Sequence, residues 1–246
     1  MGTRNRSPRR ELSKHLADVR PDVGDPLAAI AAGRVRVDGR ITTNPRSLVR
    51  RDAAVVVDTP GPLRGEAKLA AALATFRVAV AGRIALDLGA AAGGFTRALL
   101  GAGARRVYAV DAGHGQLVGS LRQSIRVVSL EGTNLAALDR RLVPDVVDLV
   151  TMDLSYLSVA TAVGQISRLA IAPNADLVAL VKPMFELRLD HAPDEPALLA
   201  EALRRAIAGV ERAAWHVAGH MRSPVHGARG AVELLLHARR RTEETD

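Results

Sequence analysis

The sequence predicts an α/β protein with a mostly parallel seven-stranded sheet, a C-terminal antiparallel hairpin, and a small α+β region in front. From Lys68 onward, apolar strand patterns alternate with helical patterns. Such alternation is typical of parallel sheets covered by helices on both faces. The last two predicted strands follow one another without a helix between them, which favours an antiparallel pair.

The N-terminal region carries short-element patterns. Residues 9–32 read as two short helices separated by a turn that contains Pro and Gly. RVRVDGRITTNP then alternates as a short strand with Asp38 and Gly39 as a hairpin turn, and AAVVVD predicts a second strand that ends at Asp58. The segment TPGP, residues 59–62, has the composition of a linker.

The larger region follows in a regular order. Strands are expected near 83–88, 106–111, 125–130, 146–152, 175–181, 214–220 and 231–237. Helices are expected near 66–77, 93–103, 114–122, 157–170 and 194–211. The predicted organisation is a small domain over 1–58, a linker over 59–66 and a larger domain over 67–246.

Composition narrows the class of protein. The chain has 246 residues, 48% of them hydrophobic, and no cysteine. The absence of cysteine excludes disulfides, thiolate zinc sites and cysteine nucleophiles, and it suits a reducing cytoplasm. The seven histidines are scattered, so no metal-ligand cluster is visible. No signal peptide and no apolar run of about 18–20 residues is found, so a cytoplasmic protein without a membrane partner is expected.

The charge is concentrated towards the N-terminus. The net charge is +8, and residues 1–60 hold 12 Lys and Arg against 7 Asp and Glu, whereas the remainder holds 22 against 19. This excess favours a polyanionic partner such as RNA. An Arg-rich, high-GC genome is the alternative explanation.

The stretch ALDLGAAAGGFTRALLGAGARRVYAVD has the glycine turn of a nucleotide-binding βαβ unit without the G-x-G-x-x-G spacing of a dinucleotide site. Asp87 would repel a pyrophosphate but could receive an amino group or a sulfonium, and Asp111 could accept ribose hydroxyls. This combination fits S-adenosylmethionine as the cofactor; a tight turn without a ligand is the alternative. The expected contacts are Asp87, Gly89, Ala90, Gly93, Gly94, Phe95, Thr96 and Asp111.

Charged residues lie at the ends of apolar strands. Asp153 ends the strand in VDLVTMDLSY, Lys182 ends the one in LVALVKPMFE, and Glu233 lies inside GAVELLLH. Ligands in such sheets bind outside the carboxyl ends of the strands, and converging buried charges normally pair. Lys68 is a fourth candidate because the chain has only three lysines. Solvated, capping or purely structural roles are the alternatives for each.

The motifs of the larger domain occur in the order seen in the TlyA family, and the chain resembles that family over nearly its whole length. The motifs are RGEAKLAAAL, ALDLGAAAGGFT, VYAVDAGHGQL, LEGTNL, VDLVTMDLSYLS, LVALVKPMFE and GAVELLL. Members of the family, historically labelled hemolysin-like, have an S4-type RNA-binding domain before an FtsJ-like ribose 2′-O-methyltransferase domain. The resemblance implies a Rossmann-like class I methyltransferase fold preceded by a small α+β S4-like domain.

The resemblance also implies a Lys-Asp-Lys-Glu tetrad, which falls on Lys68, Asp153, Lys182 and Glu233, and it adds Asn134 and Asp153 to the cofactor contacts. A ribose 2′-hydroxyl is a poor nucleophile, so its proton must leave as the methyl group arrives. Lys182 is expected to orient and deprotonate it, Asp153 to lie between the ammonium and the cofactor, and Glu233 to anchor Lys68 or the ribose. No metal is needed.

The N-terminal region departs from the family. The S4 domains usually have an R-L-D start and an S-R-x-x-A turn, where this chain has RRELSKHL and RPDVGDPLAAI. The segment GRVRVDGRITTNP is better preserved. Arg34, Arg36, Arg40 and Arg46 are expected to contact RNA phosphates, and the alternative is that they only solubilise the domain.

Two departures concern the larger domain. The family's R-G-G-x-K is R-G-E-A-K here, and Glu66 is expected to influence Lys68 or to block a close backbone approach. After KPMFE the family usually has a glycine-rich segment, whereas this chain has LRLDHAPDEPALL. That loop would border the target nucleotide. Phe95, Tyr156 and Phe185 are the aromatic side chains expected near the site.

The leading interpretation is an S-adenosylmethionine-dependent 2′-O-methyltransferase of RNA, with ribosomal RNA or ribosomal subunits as partner and cytidine favoured by the resemblance. One alternative is a divergent relative that methylates a small-molecule hydroxyl or acts in antibiotic self-resistance. Another is a non-catalytic RNA-binding or ribosome-assembly factor.

Overall fold

The computed structural model describes residues 9–31, 33–57 and 63–241, and the chain divides into two compact units. The first holds the described residues before 58 together with 118–123, and the second holds the other described residues from 63 onward. The predicted TPGP linker lies outside the described residues, but Arg64 already begins a helix. Residues 64–66, expected in the linker, are therefore helical.

The N-terminal elements are short. The helices are α1 (Leu12–Val19) and α2 (Pro26–Ala31), and the strands are β1 (Arg9–Glu11), β2 (Val35–Val37), β3 (Arg40–Ile41), β4 (Leu48–Arg50) and β5 (Val55–Val57). Strands β3, β2 and β5 form one antiparallel sheet in that order, and β1 pairs with β4. The buried core consists of Leu12, Leu16, Ala29, Ile30, Val35 and Val49.

Asp38 and Gly39 make the turn between β2 and β3. Both have a positive φ, 48° and 82° respectively. Two consecutive left-handed residues match the twist of a hairpin, which is why Asp-Gly sequences favour this turn. The pairing of β1 with β4 was not predicted, because three-residue strands leave too short an alternation to recognise in the sequence.

The remaining elements, apart from α5, build one sheet and the helices that cover it. The helices are α3 (Arg64–Phe76), α4 (Gly94–Gly101), α5 (Gly119–Arg122), α6 (Val159–Gln165), α7 (Pro183–Leu187) and α8 (Pro196–Arg212). The strands are β6 (Ile84–Leu88), β7 (Arg106–Asp111), β8 (Val127–Glu131), β9 (Val147–Met152), β10 (Ile171–Val181), β11 (Trp215–Arg222) and β12 (Leu234–Arg240). No helix in the described ranges is long and apolar enough to cross a membrane.

The seven strands run in the order β11-β12-β10-β9-β6-β7-β8. Strands β6 to β10 are parallel, and β12 lies antiparallel between β10 and β11. This confirms the predicted parallel sheet with a C-terminal antiparallel hairpin. The order of the strands reverses beside β6, and ligands of such sheets bind at this switch point, outside the carboxyl ends of the strands.

Apolar side chains cover both faces of the sheet. Ala85 of β6 points to the face that α3 and α4 cover, where Leu69 and Leu99 are buried. Its neighbour Leu86 belongs to the opposite core, which α6 and α8 close with Val163 among others. Because successive strand residues point to opposite faces, a strand buried on both sides reads as a continuous apolar run.

Three helices after residue 63 differ from the expectations. Of the helix predicted over 114–122, only residues 119–122 are helical. The Glu131 carboxylate accepts hydrogen bonds from the backbone N–H groups of Gln116 and Leu117, and these bonds hold that segment as a loop. The predicted helix 157–170 ends at Gln165 and continues as one 3₁₀ turn over 166–168. Helix α7 was not predicted; Pro183 occupies its first turn, where a missing N–H costs nothing.

Candidate active site

The fold brings the ends of several strands to one edge of the sheet. Gly89 follows β6, Asp153 follows β9 and Lys182 follows β10. Glu233 was expected inside the last strand but directly precedes β12. Because β12 is antiparallel to β10, with Leu234 opposite Val181, its start lies beside the end of β10. Four loops therefore meet at this edge.

The four predicted tetrad residues form two ion pairs. Lys68 Nζ lies 2.5 Å from Glu233 Oε2, and the two side chains are only 7% and 6% exposed. Lys182 Nζ lies 2.7 Å from Asp153 Oδ1, with exposures of 16% and 24%. The Lys68–Glu233 pair is thus more shielded from water than the Lys182–Asp153 pair.

Both pairs line one cavity of about 650 Å³. Its opposite wall comes from the loop after α7, with Asp190 and His191, and from the loop before β12, with Arg229. The volume is within the range of about 300–1,000 Å³ that is usual for small-molecule sites. This cavity, here called the acceptor cavity, is large enough for a nucleoside-sized group beside the two lysines.

A second cavity of about 310 Å³ lies at the glycine loop. Of the predicted cofactor contacts, Gly89, Ala90, Gly94, Phe95 and Asp153 line it. Asp153 therefore borders both this loop cavity and the acceptor cavity. A group bound in the loop cavity would meet a group bound in the acceptor cavity at this carboxylate.

The glycine loop depends on close backbone contacts. Gly89 has a φ of +83°, and a Cβ added to it would lie 2.3 Å from the Asp153 carbonyl oxygen. The N–H group of Asp153 donates to the Leu88 carbonyl oxygen at 2.9 Å, which fixes the two loops together. A Cβ on Gly94 would lie 2.9 Å from Gly65 Cα, so α3 and α4 approach closely here.

The variant Gly89→Ala is expected to weaken cofactor binding strongly and to lower stability. Gly82→Ala is the matched control, because Gly82 has a similar φ of +75° with nothing within 4 Å of an added Cβ. Both substitutions carry left-handed strain of about 1–2 kcal/mol, but only the first pushes against Asp153. Isothermal titration with S-adenosylmethionine and urea unfolding measure the difference. Equal cofactor affinity in the two variants would contradict this role of the loop.

Asp87 does not reach either cavity. Its side chain is fully buried, and its two oxygens accept hydrogen bonds from Thr96 Oγ1 at 2.6 Å and Thr151 Oγ1 at 2.9 Å. Burial raises the pKa of Asp87 to about 6, against the opposing effect of the two threonine hydrogen bonds. Asp87 is therefore not among the residues that line either cavity, and its contact with a cofactor stays a prediction. Asp87 and Thr96 instead support the loop from below.

The side chains of Asp111 and Asn134 also accept hydrogen bonds from backbone N–H groups. The Asp111 carboxylate accepts from the N–H group of Ala91 in the glycine loop at 2.8 Å and from that of Gly113 at 2.7 Å. Asn134 is exposed and its side chain caps the 3₁₀ turn that follows, accepting from Ala136 N. Neither residue lines the loop cavity. Gly93, another predicted contact, has a φ of +96° and precedes α4.

Glu66 faces away from Lys68. Its carboxylate accepts from Leu63 N at 3.3 Å at the start of α3, and it pairs with Arg97 at 3.4 Å. Because Lys68 is paired with Glu233, the expectation that Glu66 perturbs Lys68 is not supported by the geometry. The close approach of Gly65 to Gly94 is likewise kept.

The four predicted RNA-contacting arginines do not share one surface. Arg36 alternates with Val35 and Val37 along β2, so it points away from the small core. Arg40 is paired in register with Val37 and therefore lies on the core side of the sheet. Arg34 precedes β2 and is half-buried, and Arg46 is exposed in the turn before β4.

Two site residues were missed from the sequence. Lys182 Nζ donates to Ser155 Oγ at 2.9 Å, and Arg229 lines the acceptor cavity with a left-handed φ of 56°. Ser155 could have been found from its position two residues after Asp153, at the same strand end. Nothing in the sequence indicated Arg229, because its place depends on the loop conformation.

Comparisons with known proteins agree with this geometry. The model of the FtsJ-like methyltransferase family matches residues 63–240. The chain is 40% identical over 223 residues to the "16S/23S rRNA (cytidine-2'-O)-methyltransferase TlyA" of Mycobacterium tuberculosis, and the match covers 87% of this chain and 83% of that protein.

Solved structures with the same fold include two informative matches. The structure described as "Putative hemolysin from Streptococcus thermophilus" is 27% identical with a TM-score of 0.69, and the match covers 95% of this chain and 89% of that one. An S-adenosylmethionine dependent methyltransferase from Mesorhizobium loti is 19% identical with a TM-score of 0.51, and covers 69% of this chain and 96% of that one. The second shows likeness of fold alone.

Proposed function

Because the chain belongs to the TlyA group of FtsJ-like methyltransferases, we propose that it transfers a methyl group from S-adenosylmethionine to a ribose 2′-hydroxyl of ribosomal RNA. The observation that carries the proposal is the position of Asp153, which borders both the loop cavity and the acceptor cavity. A methyl donor in the first cavity and a hydroxyl in the second would meet where the two lysine–acid pairs lie. We extend to this chain the cytidine named for the Mycobacterium tuberculosis relative.

The loop cavity suits the proposed cofactor. Gly89 and Gly94 permit the close backbone contacts with Asp153 and Gly65 that hold the loop in this shape, and both line the cavity without a side chain. Asp153 offers a carboxylate to a cationic ligand, and Asp111 fixes the loop through Ala91. When bound there, the cofactor supplies an electrophilic methyl group on a sulfonium.

Lys182 is the residue best placed to handle the hydroxyl proton. Two of its three hydrogen-bonding positions are used by Asp153 and Ser155, so one position remains for the acceptor oxygen. In its neutral form the Lys182 amine would take the 2′-hydroxyl proton, while the methyl group would pass from the sulfonium to the oxygen and leave a neutral thioether. The two partners fix its direction, so the hydroxyl is held in line at little entropic cost.

The buried pair of Lys68 and Glu233 forms the inner wall of the acceptor cavity. One hydrogen bond of Lys68 is used by Glu233, and among the residues that the structure describes no other partner takes its remaining N–H groups, which can bind a ribose oxygen. Glu233 keeps this lysine in place and offsets its charge. The pair therefore orients the ribose, and Lys182 acts on its proton.

Methyl transfer to ribosomal subunits tests the proposal. Small and large subunits from cells that lack the gene are incubated with the protein and a methyl-labelled donor, and the RNA is hydrolysed in alkali. Because 2′-O-methylation blocks alkaline cleavage, label is expected in alkali-resistant dinucleotides. If neither subunits nor naked rRNA accept label, the proposed function is wrong. Label transferred only to a small hydroxyl compound would favour the alternative substrate class.

We also propose a cytoplasmic location, because ribosomal RNA is the proposed substrate.

We propose further that the small N-terminal unit is an S4-like RNA-binding domain. Arg36 and Arg40 are both exposed but lie on opposite sides of the short sheet, and RNA bound to the side that faces away from the small core contacts Arg36. Arg36→Ala is expected to weaken binding of an rRNA fragment several-fold and to reduce its salt dependence. Arg40→Ala is the matched control and is expected to change both much less. Equal losses in the two variants would contradict this orientation.

A further inference from the structure

A third cavity, outside the two already described, lies between α6, α7 and α8. It has a volume of about 350 Å³, and the side chains that line it include Arg188, Arg205 and Arg212. Ser158, Thr161 and Phe185 complete the surface that is here called the arginine cleft. Phe185 also lines the acceptor cavity. The two cavities therefore share this aromatic side chain.

The charge of the arginine cleft is largely uncompensated. Arg188 and Arg212 are exposed and have no ion pair with any residue in the described ranges. Arg204, on the same helix as Arg212, differs because it is paired with Glu201 at 2.6 Å and lies outside the cleft. Two free guanidinium groups beside one cavity are a surface suited to phosphate oxygens.

A hydroxyl donor completes the arrangement. Ser158 Oγ and Thr161 Oγ1 are 2.8 Å apart, and Ser158 Oγ also accepts from Thr161 N at 3.1 Å. Only one of the two hydroxyl protons can be used between them, so the other can be donated to an outside acceptor. Phosphate oxygens are acceptors without protons of their own at neutral pH.

The single acid of the cleft opposes an anion only weakly. Glu186 is 6% exposed, and its Oε1 accepts from Val159 N at 2.5 Å. Burial raises the pKa of Glu186 to about 7, which lowers its average negative charge near neutral pH. Arg205 donates to the Glu186 backbone oxygen at the same wall, and its own charge is paired with Glu201 at 2.8 Å.

We propose that the arginine cleft binds the phosphodiester backbone of the RNA strand next to the methylated nucleotide, an inference that rests on the proposed function. A nucleotide that enters the acceptor cavity must be followed by its own chain, and the cleft lies directly beyond Phe185. Arg188 and Arg212 contact successive phosphates, and the Ser158 and Thr161 pair donates to one of them. Phe185 offers its ring to the base between the two cavities.

The experiment compares two double variants of the full-length protein. Arg188→Ala with Arg212→Ala removes the two unpaired charges of the cleft. Arg168→Ala with Arg204→Ala removes the same charge from exposed positions outside it. Binding of a fluorescent single-stranded RNA of about 12 nucleotides is followed by anisotropy over a range of salt concentrations, and melting temperatures are compared to verify folding.

The cleft variant is expected to raise the Kd for this RNA about tenfold over the control and to reduce the slope of log K against log salt by about 1.4, since each single-strand phosphate contact contributes about 0.7. In methyl transfer it is expected to raise KM for rRNA with kcat within about twofold. The proposal would be overturned if the cleft variant had the same RNA affinity and salt slope as the control variant. It would also be overturned if the cleft variant lost binding of inorganic phosphate but kept its RNA affinity. Because the binding assay needs no methyl transfer, failure of the proposed function and failure of the cleft are distinguishable.

Discussion

The variant Lys182→Met is expected to lower the rate of methyl transfer by about 10²–10⁴-fold, the usual contribution of a positioned acid or base. Methionine keeps the length of the side chain but removes the amine that contacts Asp153 and Ser155. Lys182 does not line the loop cavity, so affinity for S-adenosylmethionine is expected to stay within a few-fold of the parent protein. Single-turnover transfer to rRNA and calorimetric titration of the cofactor measure the two effects.

The control for this variant is Lys14→Met. Lys14 is exposed in α1 and pairs with Glu11 at 3.1 Å, so the change removes a lysine without touching either cavity. Its transfer rate is expected to match the parent rate. An active Lys182→Met enzyme would exclude Lys182 as the base. Ser155→Ala separates positioning from proton transfer: it is expected to cost far less, because the amine and Asp153 remain.

The tetrad could be predicted because each member breaks a strong local pattern. Lys182 and Asp153 follow apolar strands, and Lys68 lies in a helix whose other buried residues are Leu69, Ala72 and Leu73. A charge in such a setting is costly unless it is paired, so the sequence indicates the partners as well as the site. The resemblance to the TlyA family selected the same four residues, and family membership is confirmed by the comparisons. Their catalytic roles remain predictions.

The acids of the cofactor site could not be predicted in the same way. Asp87 lies inside β6, where strand alternation does not show which side chain reaches a cavity, and two threonines from other elements use both of its oxygens. Thr151 is 64 residues from Asp87 in the sequence. A contact of this kind depends on the pairing of β6 with β9. The sequence pattern predicts that both strands belong to one sheet, but it does not predict which residues lie opposite each other.

The fold was predictable where patterns are long. Strand β7 spans the residues expected, and β6, β9 and the final hairpin differ by a few residues at their ends. Short elements were harder to predict, because α5 has only four residues and α7 only five. The bounds of α5 depend on side-chain contacts, and the start of α7 depends on one proline. The arginine cleft depends on how α6, α7 and α8 pack together, so no single stretch of sequence indicates it.

The variant Glu233→Leu is expected to destabilise the second unit by about 3–5 kcal/mol, the usual cost of leaving one member of a buried ion pair alone. The variant leaves Lys68 without the partner that it contacts, in a place where its side chain is 7% exposed. The Glu233 carboxylate also packs against Gly227, where an added Cβ would lie 2.4 Å from Oε1. Urea unfolding followed by the fluorescence of Trp215, the single tryptophan and 1% exposed, reports this unit.

The double variant Lys68→Met with Glu233→Leu tests whether charge or packing causes the loss. Replacing a buried ion pair by apolar side chains of similar volume is often neutral, so the double variant is expected to regain most of the stability lost in Glu233→Leu. Glu201→Ala, which breaks exposed pairs with Arg204 and Arg205, is the control and is expected to change the midpoint little. A double variant as unstable as Glu233→Leu would mean that shape, not the unpaired ammonium, dominates. A stable double variant that no longer methylates rRNA would separate the role of this pair in the acceptor cavity from its role in folding.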